Sequence, residues 1–248
     1  MIHYHGTPVG GSREQATKFL KGRHAMVSFA RDEDLAVAAD VCQSFAIDNG
    51  AFTTWKQGNK FDPNEFTDWV GNNWAKHPGF DWALIPDVID GTEEENDLLI
   101  NRWPFEIRGC PVWHLHESLD RLKKLCGLIQ FRAVAFGSSG KWRTPGTDAW
   151  KTRMGEAFDA ICDSDGRPPC RLHGLRMLAS DIVCRFPFSS ADSTNAVRNS
   201  SLYGRYGCYC PPERSQRAEN NARIIEAINS PPVWKRTNLQ LSLDELWG

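Results

Sequence analysis

No run in this chain approaches the roughly 18 consecutive apolar residues that a bilayer-spanning helix requires, so no transmembrane segment and no membrane partner is expected. The opening residues, Met1-Ile-His-Tyr-His5, also lack the basic-then-apolar plan of a secretory signal, and a soluble, cytoplasmic protein is the expectation. Neither an internal repeat nor a low-complexity linker divides the 248 residues, a length that suits a single domain over 1–248. The eight cysteines form no paired framework. Cys42, Cys126, Cys162 and Cys184 fall inside expected strands and helices, as reduced, packed thiols do.

Net charge is nearly absent as well, at -2, but this value averages two unlike halves. Residues 31–100 carry 4 Lys and Arg against 15 Asp and Glu, whereas 121–223 carry 17 against 9. A basic half can hold phosphates despite an acidic total, although charge blocks equally arise as solvated helix faces.

What is present is an alternation of short apolar runs with amphipathic stretches. Strands are expected at 2–5, 26–30, 44–48, 82–86, 111–115, 131–136, 171–175 and 184–189. Helices fall at 12–21, 32–42, 63–76, 92–103, 117–126, 147–162 and 177–182. Asp62-Pro63 and Thr92-Glu-Glu-Glu95 are good start signals, pairing a capping side chain with proline or with acids at the positive helix end. Eight strands alternating with helices define an α/β fold, a (β/α)8 TIM barrel, and helices at 192–200 and 213–229 with a Pro-rich end would cover its outside.

In such a barrel the loops after the strands form the active face. They contribute His3 and His5, Asp48 and Asn49, Asp87 and Asp90, His114, His116 and Glu117, the Gly137-Ser-Ser-Gly140 loop, His173 and Gly174, and Ser189, Ser190 and Asp192. Singly, each has a plain structural explanation. Asp48 before Asn-Gly can make an Asx turn, Asp87 can cap a helix, and His114 and His116 share one side of a strand. The ordered set carries more weight than any member.

That set resembles the tRNA-guanine transglycosylase superfamily over most of the barrel, in short pieces. Ile47-Asp48-Asn-Gly-Ala-Phe52 is similar to the family's Asp-Ser-Gly-Gly-Phe-Gln motif, and Ile85-Pro-Asp87 falls where the family reads the guanine edge. Val134-Ala-Phe-Gly-Ser-Ser-Gly140 and Arg171-Leu-His-Gly-Leu-Arg-Met177 resemble the next two strands, and Ser190-Ala-Asp192-Ser the nucleophile strand. The family's Cys-x-Cys-x2-Cys zinc site is only begun by Cys208-Tyr-Cys210, since position 213 is Glu213 and no histidine follows. The compact pattern looks most like the DpdA-type branch, which places 7-deazaguanine derivatives such as preQ0 in phage or bacterial DNA.

The resemblance implies a base exchange without cofactor or metal. Asp192 would attack C1′ of the nucleotide and Asp48 would move the proton of the departing and arriving base. Asp87, Asn49, Phe52, His114, His116, Gly137, Ser138 and His173 would line the base pocket, and Phe52 or Trp142 would stack on a base flipped from double-stranded DNA or, alternatively, tRNA. Lys141, Arg143, Arg198 and Arg205 would contact phosphates. Two other readings compete: a metal-dependent amidohydrolase-like barrel using His3, His5, a strand-five histidine and Asp192, and a non-catalytic nucleic-acid-binding subunit.

Overall fold

The computed structural model describes residues 1–58, 60–88, 91–201 and 209–236. Its strands are β1 (Ile2–Gly6), β2 (His24–Ser28), β3 (Ser44–Asp48), β4 (Phe80–Leu84), β5 (Gly109–Cys110), β6 (Val112–His114), β7 (Val134–Gly137), β8 (Leu172–Gly174) and β9 (Ser190–Ser193). All pair in parallel, in the order β5-β4-β3-β2-β1-β9-β8-β7-β6. The two ends of that order meet at Pro111. Proline has no N–H to give a ladder, and the chain on either side of it turns to different neighbours, Gly109 and Cys110 to β4 and Val112–His114 to β7. β5 and β6 are therefore one interrupted strand, and the sheet is a ring of eight.

The helices are α1 (Arg13–Leu20), α2 (Leu35–Val41), α3 (Ala51–Lys56), α4 (Pro63–Asn73), α5 (Glu93–Arg102), α6 (Leu119–Cys126), α7 (Asp148–Ile161), α8 (Ser180–Val183), α9 (Asn195–Arg198) and α10 (Arg214–Glu226). Both start signals act as expected. Asp62 accepts from the Asn64 and Glu65 amides, and Thr92 and Glu95 close a reciprocal capping box. Among the described residues no helix is long and apolar enough to cross a membrane, and seven cysteines are free.

Strand periodicity sorts the core into two compartments. Tyr4, Met26, Ala46, Trp82, Leu84, Cys110, Val112 and Ala135 fill the lumen. Their neighbours Ala25, Val27, Phe45, Ile47, Trp113, Val134 and Phe136 face the helices.

Several strands are displaced from their expected places. The second lies at His24–Ser28 rather than 26–30, the fourth at Phe80–Leu84 rather than 82–86, the sixth barrel strand at Val134–Gly137 rather than 131–136, and the eighth barrel strand at Ser190–Ser193 rather than 184–189. The apolar run Phe186-Pro-Phe188 is not strand at all. Its rings pack 5.4 and 5.6 Å from Phe158 of α7, filling the sheet–helix space, while the strand beyond it is small and polar because its alternate residues face the lumen. Asp192 consequently lies within the strand, not after it. The Asn49-Gly50 turn also leads into a short helix, α3, which the apolar pattern does not reveal.

Phe158 is fully buried and touches Phe136, Phe186, Phe188 and Trp234. Phe158→Ala is expected to cost about 3–5 kcal/mol in urea unfolding. Phe105→Ala, at a residue 88% exposed, should stay within about 0.5 kcal/mol of the parent.

Candidate active site

Asp48 closes β3 at the C-terminal end of the barrel. Its Oδ1 accepts the Gly50 amide at 3.1 Å, and Asn49 Oδ1 accepts the Ala51 amide at 2.9 Å. These are two successive Asx turns, so the local explanation of the motif is correct as far as it goes. Gly50 is required twice over: its φ is 75°, and a Cβ there would come within 2.9 Å of Ala30. The turn leaves the Asp48 carboxyl on the lumen side, beside two others. Burial pushes it up from the ordinary 3.8 to about 6, and the charges of Asp192 and Asp87 act in the same direction. The Gly50 amide and the Arg176 guanidinium oppose the rise.

Asp87 is held from both sides. His114 Nε2 is 2.8 Å from Oδ2, and Asn49 Nδ2 donates to Oδ1 at 2.9 Å. Burial pulls the His114 imidazolium down, but the hydrogen bond and charge of Asp87, with Glu117 behind, outweigh it and the net shift is upward. Glu117 is buried, accepts the His114 amide at 2.8 Å, and is itself gripped by Arg121 at 2.6 Å. Gly137 makes room for this histidine, since a Cβ there would lie 2.9 Å from His114 Nδ1. His116 stacks on His114 at 5.7 Å and pairs with Ser139 at 2.7 Å.

Asp192, on the lumen side of β9, is buried. Its Oδ1 accepts the Arg176 amide at 2.8 Å and faces His173 Nε2 at 3.3 Å. His173 Nδ1 pairs with Ser190 Oγ at 2.8 Å, so the tautomer that donates from Nε2 to the carboxylate and accepts from Ser190 satisfies all three groups. Below them Trp82 lies 4.8 Å and Tyr4 5.8 Å from the His173 ring. Arg176 has a φ of 57°, a left-handed conformation that costs a non-glycine residue roughly 1–3 kcal/mol. Its guanidinium lies 4.4 Å over the Phe52 ring.

The structure thus gathers Asp48, Asp87, His114, His173 and Asp192 at one mouth, with Phe52 and His116 at its rim. It commits other expected residues elsewhere. The Asn49 amide group is spent on Ile85, Asp87 and Ala51, which makes it a brace behind Asp87. Ser138 Oγ accepts from Trp150 Nε1 of α7 at 2.9 Å, and the Gly137 carbonyl accepts the Leu115 amide. Trp142 packs beneath Arg153, with Lys141 over its ring. Lys141, Arg143 and Arg198 are exposed on segments following β7 and β9. Arg205, Asp90 and Cys208 lie outside the described residues. Arg176 was hidden in the sequence, where an arginine after His-Gly-Leu carries no signal of a left-handed turn.

Strand parity decides where the two strand-one histidines of the metal-hydrolase reading lie. His3 and His5 point away from the lumen: His3 Nε2 donates to the Ile228 carbonyl at 2.6 Å, and His5 Nε2 meets Glu226 of α10 at 2.8 Å. Among the described residues no three His, Cys, Asp or Glu side chains are grouped to hold a metal ion.

These features define the chain as a (β/α)8 barrel with an acidic cluster at the C-terminal mouth. No family model and no curated protein matches its sequence. Among solved structures, a mutant tryptophan synthase alpha-subunit from the hyperthermophile Pyrococcus furiosus aligns over 92% of this chain and 97% of that one, at a TM-score of 0.49 and 10% identity.

Two consequences are measurable. Because the folded-state pKa of Asp48 is raised, its contribution is favourable below the unfolded value of 3.8 and is lost as pH rises through about 6. Asp48→Asn should therefore raise the melting temperature at neutral pH, with the gain vanishing near pH 4 and below. Asp87→Asn should lower the His114 pKa seen by NMR, since burial then acts with less opposition. The matching stability term is full below the His114 unfolded value of 6.5 and disappears as pH rises through its folded one.

Proposed function

We propose that this chain is a base-exchange transglycosylase that replaces guanine in DNA by a 7-deazaguanine through a covalent aspartyl–glycosyl intermediate. One observation carries the reading most directly. At a single barrel mouth lie an Asp192 oxygen, Oδ2, with no protein hydrogen bond among the described residues, and Asp48, a carboxyl with a pKa near 6. A nucleophile and a proton carrier are the two groups such an exchange requires.

Asp192 Oδ2 attacks C1′ from the face opposite the base, through an oxocarbenium-like state. Its Oδ1, held by the Arg176 amide and His173, fixes the carboxylate plane and leaves the second oxygen for the new C–O bond. As the C1′–N9 bond breaks, Asp48 gives its proton to the departing guanine. In the second half the incoming deazaguanine loses its N9 proton to Asp48, attacks C1′ and expels Asp192, so configuration is retained. Asp87 would accept from the guanine N1–H and 2-amino groups. Both its oxygens are engaged by His114 and Asn49, but each carboxylate oxygen keeps a second lone pair. The exposed Lys141, Arg143 and Arg198 would meet phosphates.

Incorporation of labelled guanine into duplex DNA tests the assignment. The parent should exchange label, Asp192→Ala should lose roughly 10³-fold or more, and Asp48→Asn about 10²–10⁴-fold. Label entering tRNA and not DNA would keep the chemistry and reassign the substrate. Full exchange by Asp192→Ala would remove the nucleophile.

A further inference from the structure

Taking β5 and β6 as one strand, β3 and β8 stand four places apart in either direction around the ring of eight, diametrically opposed. The Arg176–Phe52 contact joins the segments that follow these two strands, so it spans the barrel mouth. Phe52 is 40% exposed, and the Arg176 side chain is exposed with no carboxylate at salt-bridge distance and no side-chain hydrogen bond among the described residues. Its backbone, by contrast, is fastened to Asp192 through the 2.8 Å amide bond. The guanidinium can swing while its Cα stays beside the carboxylate.

We propose that Arg176 bars the mouth by stacking on Phe52, and that an extruded purine nucleotide replaces it: the base takes the Phe52 face, and the displaced guanidinium grips the flanking phosphate. The inference rests on the base-exchange reading and adds to it a specificity-determining residue. A purine offers the ring a larger stacking surface than a guanidinium does. The five donors of the freed arginine match a phosphate in bidentate fashion. Departure of the cation from the neighbourhood of Asp48 also removes one of the two influences that hold that carboxyl ionised. The extruded guanine nucleotide would thereby favour the protonated acid that departure of its base needs.

Binding of guanine alone, and of a guanine-containing DNA oligonucleotide, to the parent, Arg176→Ala and Phe52→Leu separates the possibilities. Without the bar, free guanine should bind about 2–5-fold tighter, the reciprocal of a modest cation–π contact. The oligonucleotide should bind about tenfold weaker, with a salt slope reduced by about one. Phe52→Leu should weaken both ligands. Arg176→Gly, which suits a φ of 57°, should reproduce the opposite-sign pattern if it arises from the side chain and not from the loop. A change of the same sign for both ligands, or no change, overturns the bar while leaving base exchange standing. Failure of the parent to bind guanine at all overturns both.

Discussion

Crowding of negative charge at the barrel mouth is the constraint around which this structure is organised. The charges of Asp87 and Asp192 both bear on Asp48 there, and like charges in a partly desolvated site cannot all ionise without compensation. Each is answered differently. Asp87 has a histidine whose own pKa is driven upward by the pairing. Asp192 has the Arg176 backbone amide and the ring of His173. Asp48 has the Gly50 amide and a more distant arginine, and retains its proton to about pH 6. The acid with the least direct compensation is the one whose pKa burial raises to about 6.

Compensation on this scale needs supports that do no chemistry themselves. Glu117 and Arg121 sit behind His114, Asn49 ties the β3 turn to the β4 loop, and Gly137 is small because His114 lies against it. Such braces hold a site within the tolerance catalysis demands. Several residues that look like ligand contacts in the sequence belong to this supporting layer, Asn49 and Gly137 among them.

Much of the architecture was legible because it rests on local rules. Start signals at Asp62-Pro63 and Thr92 identify helix boundaries, and the alternation of apolar runs with amphipathic stretches identifies the barrel. The eighth barrel strand was misplaced because hydrophobicity marks what packs against helices, as Phe186 and Phe188 do, whereas a strand lined by lumen polar groups reads Ser-Ala-Asp-Ser. His3 and His5 misled for a related reason: strand periodicity says that they share a face, not which face it is. Arg176 was invisible, since its role follows from a backbone conformation and a contact across the ring. The three acids were legible by their position after or near strands, but their mutual influence belongs to three dimensions.

The claim that unites these elements is that Asp192 becomes covalently bonded to the sugar. Denaturing the protein during turnover on a guanine-containing DNA duplex, then digesting it and mapping the adduct by mass spectrometry, tests that claim directly. The account predicts a nucleotide joined through C1′ to the Asp192 side chain, released when a 7-deazaguanine base is supplied before quenching. Base exchange with no adduct, or with an adduct on Asp48 or Asp87 in place of Asp192, would contradict it.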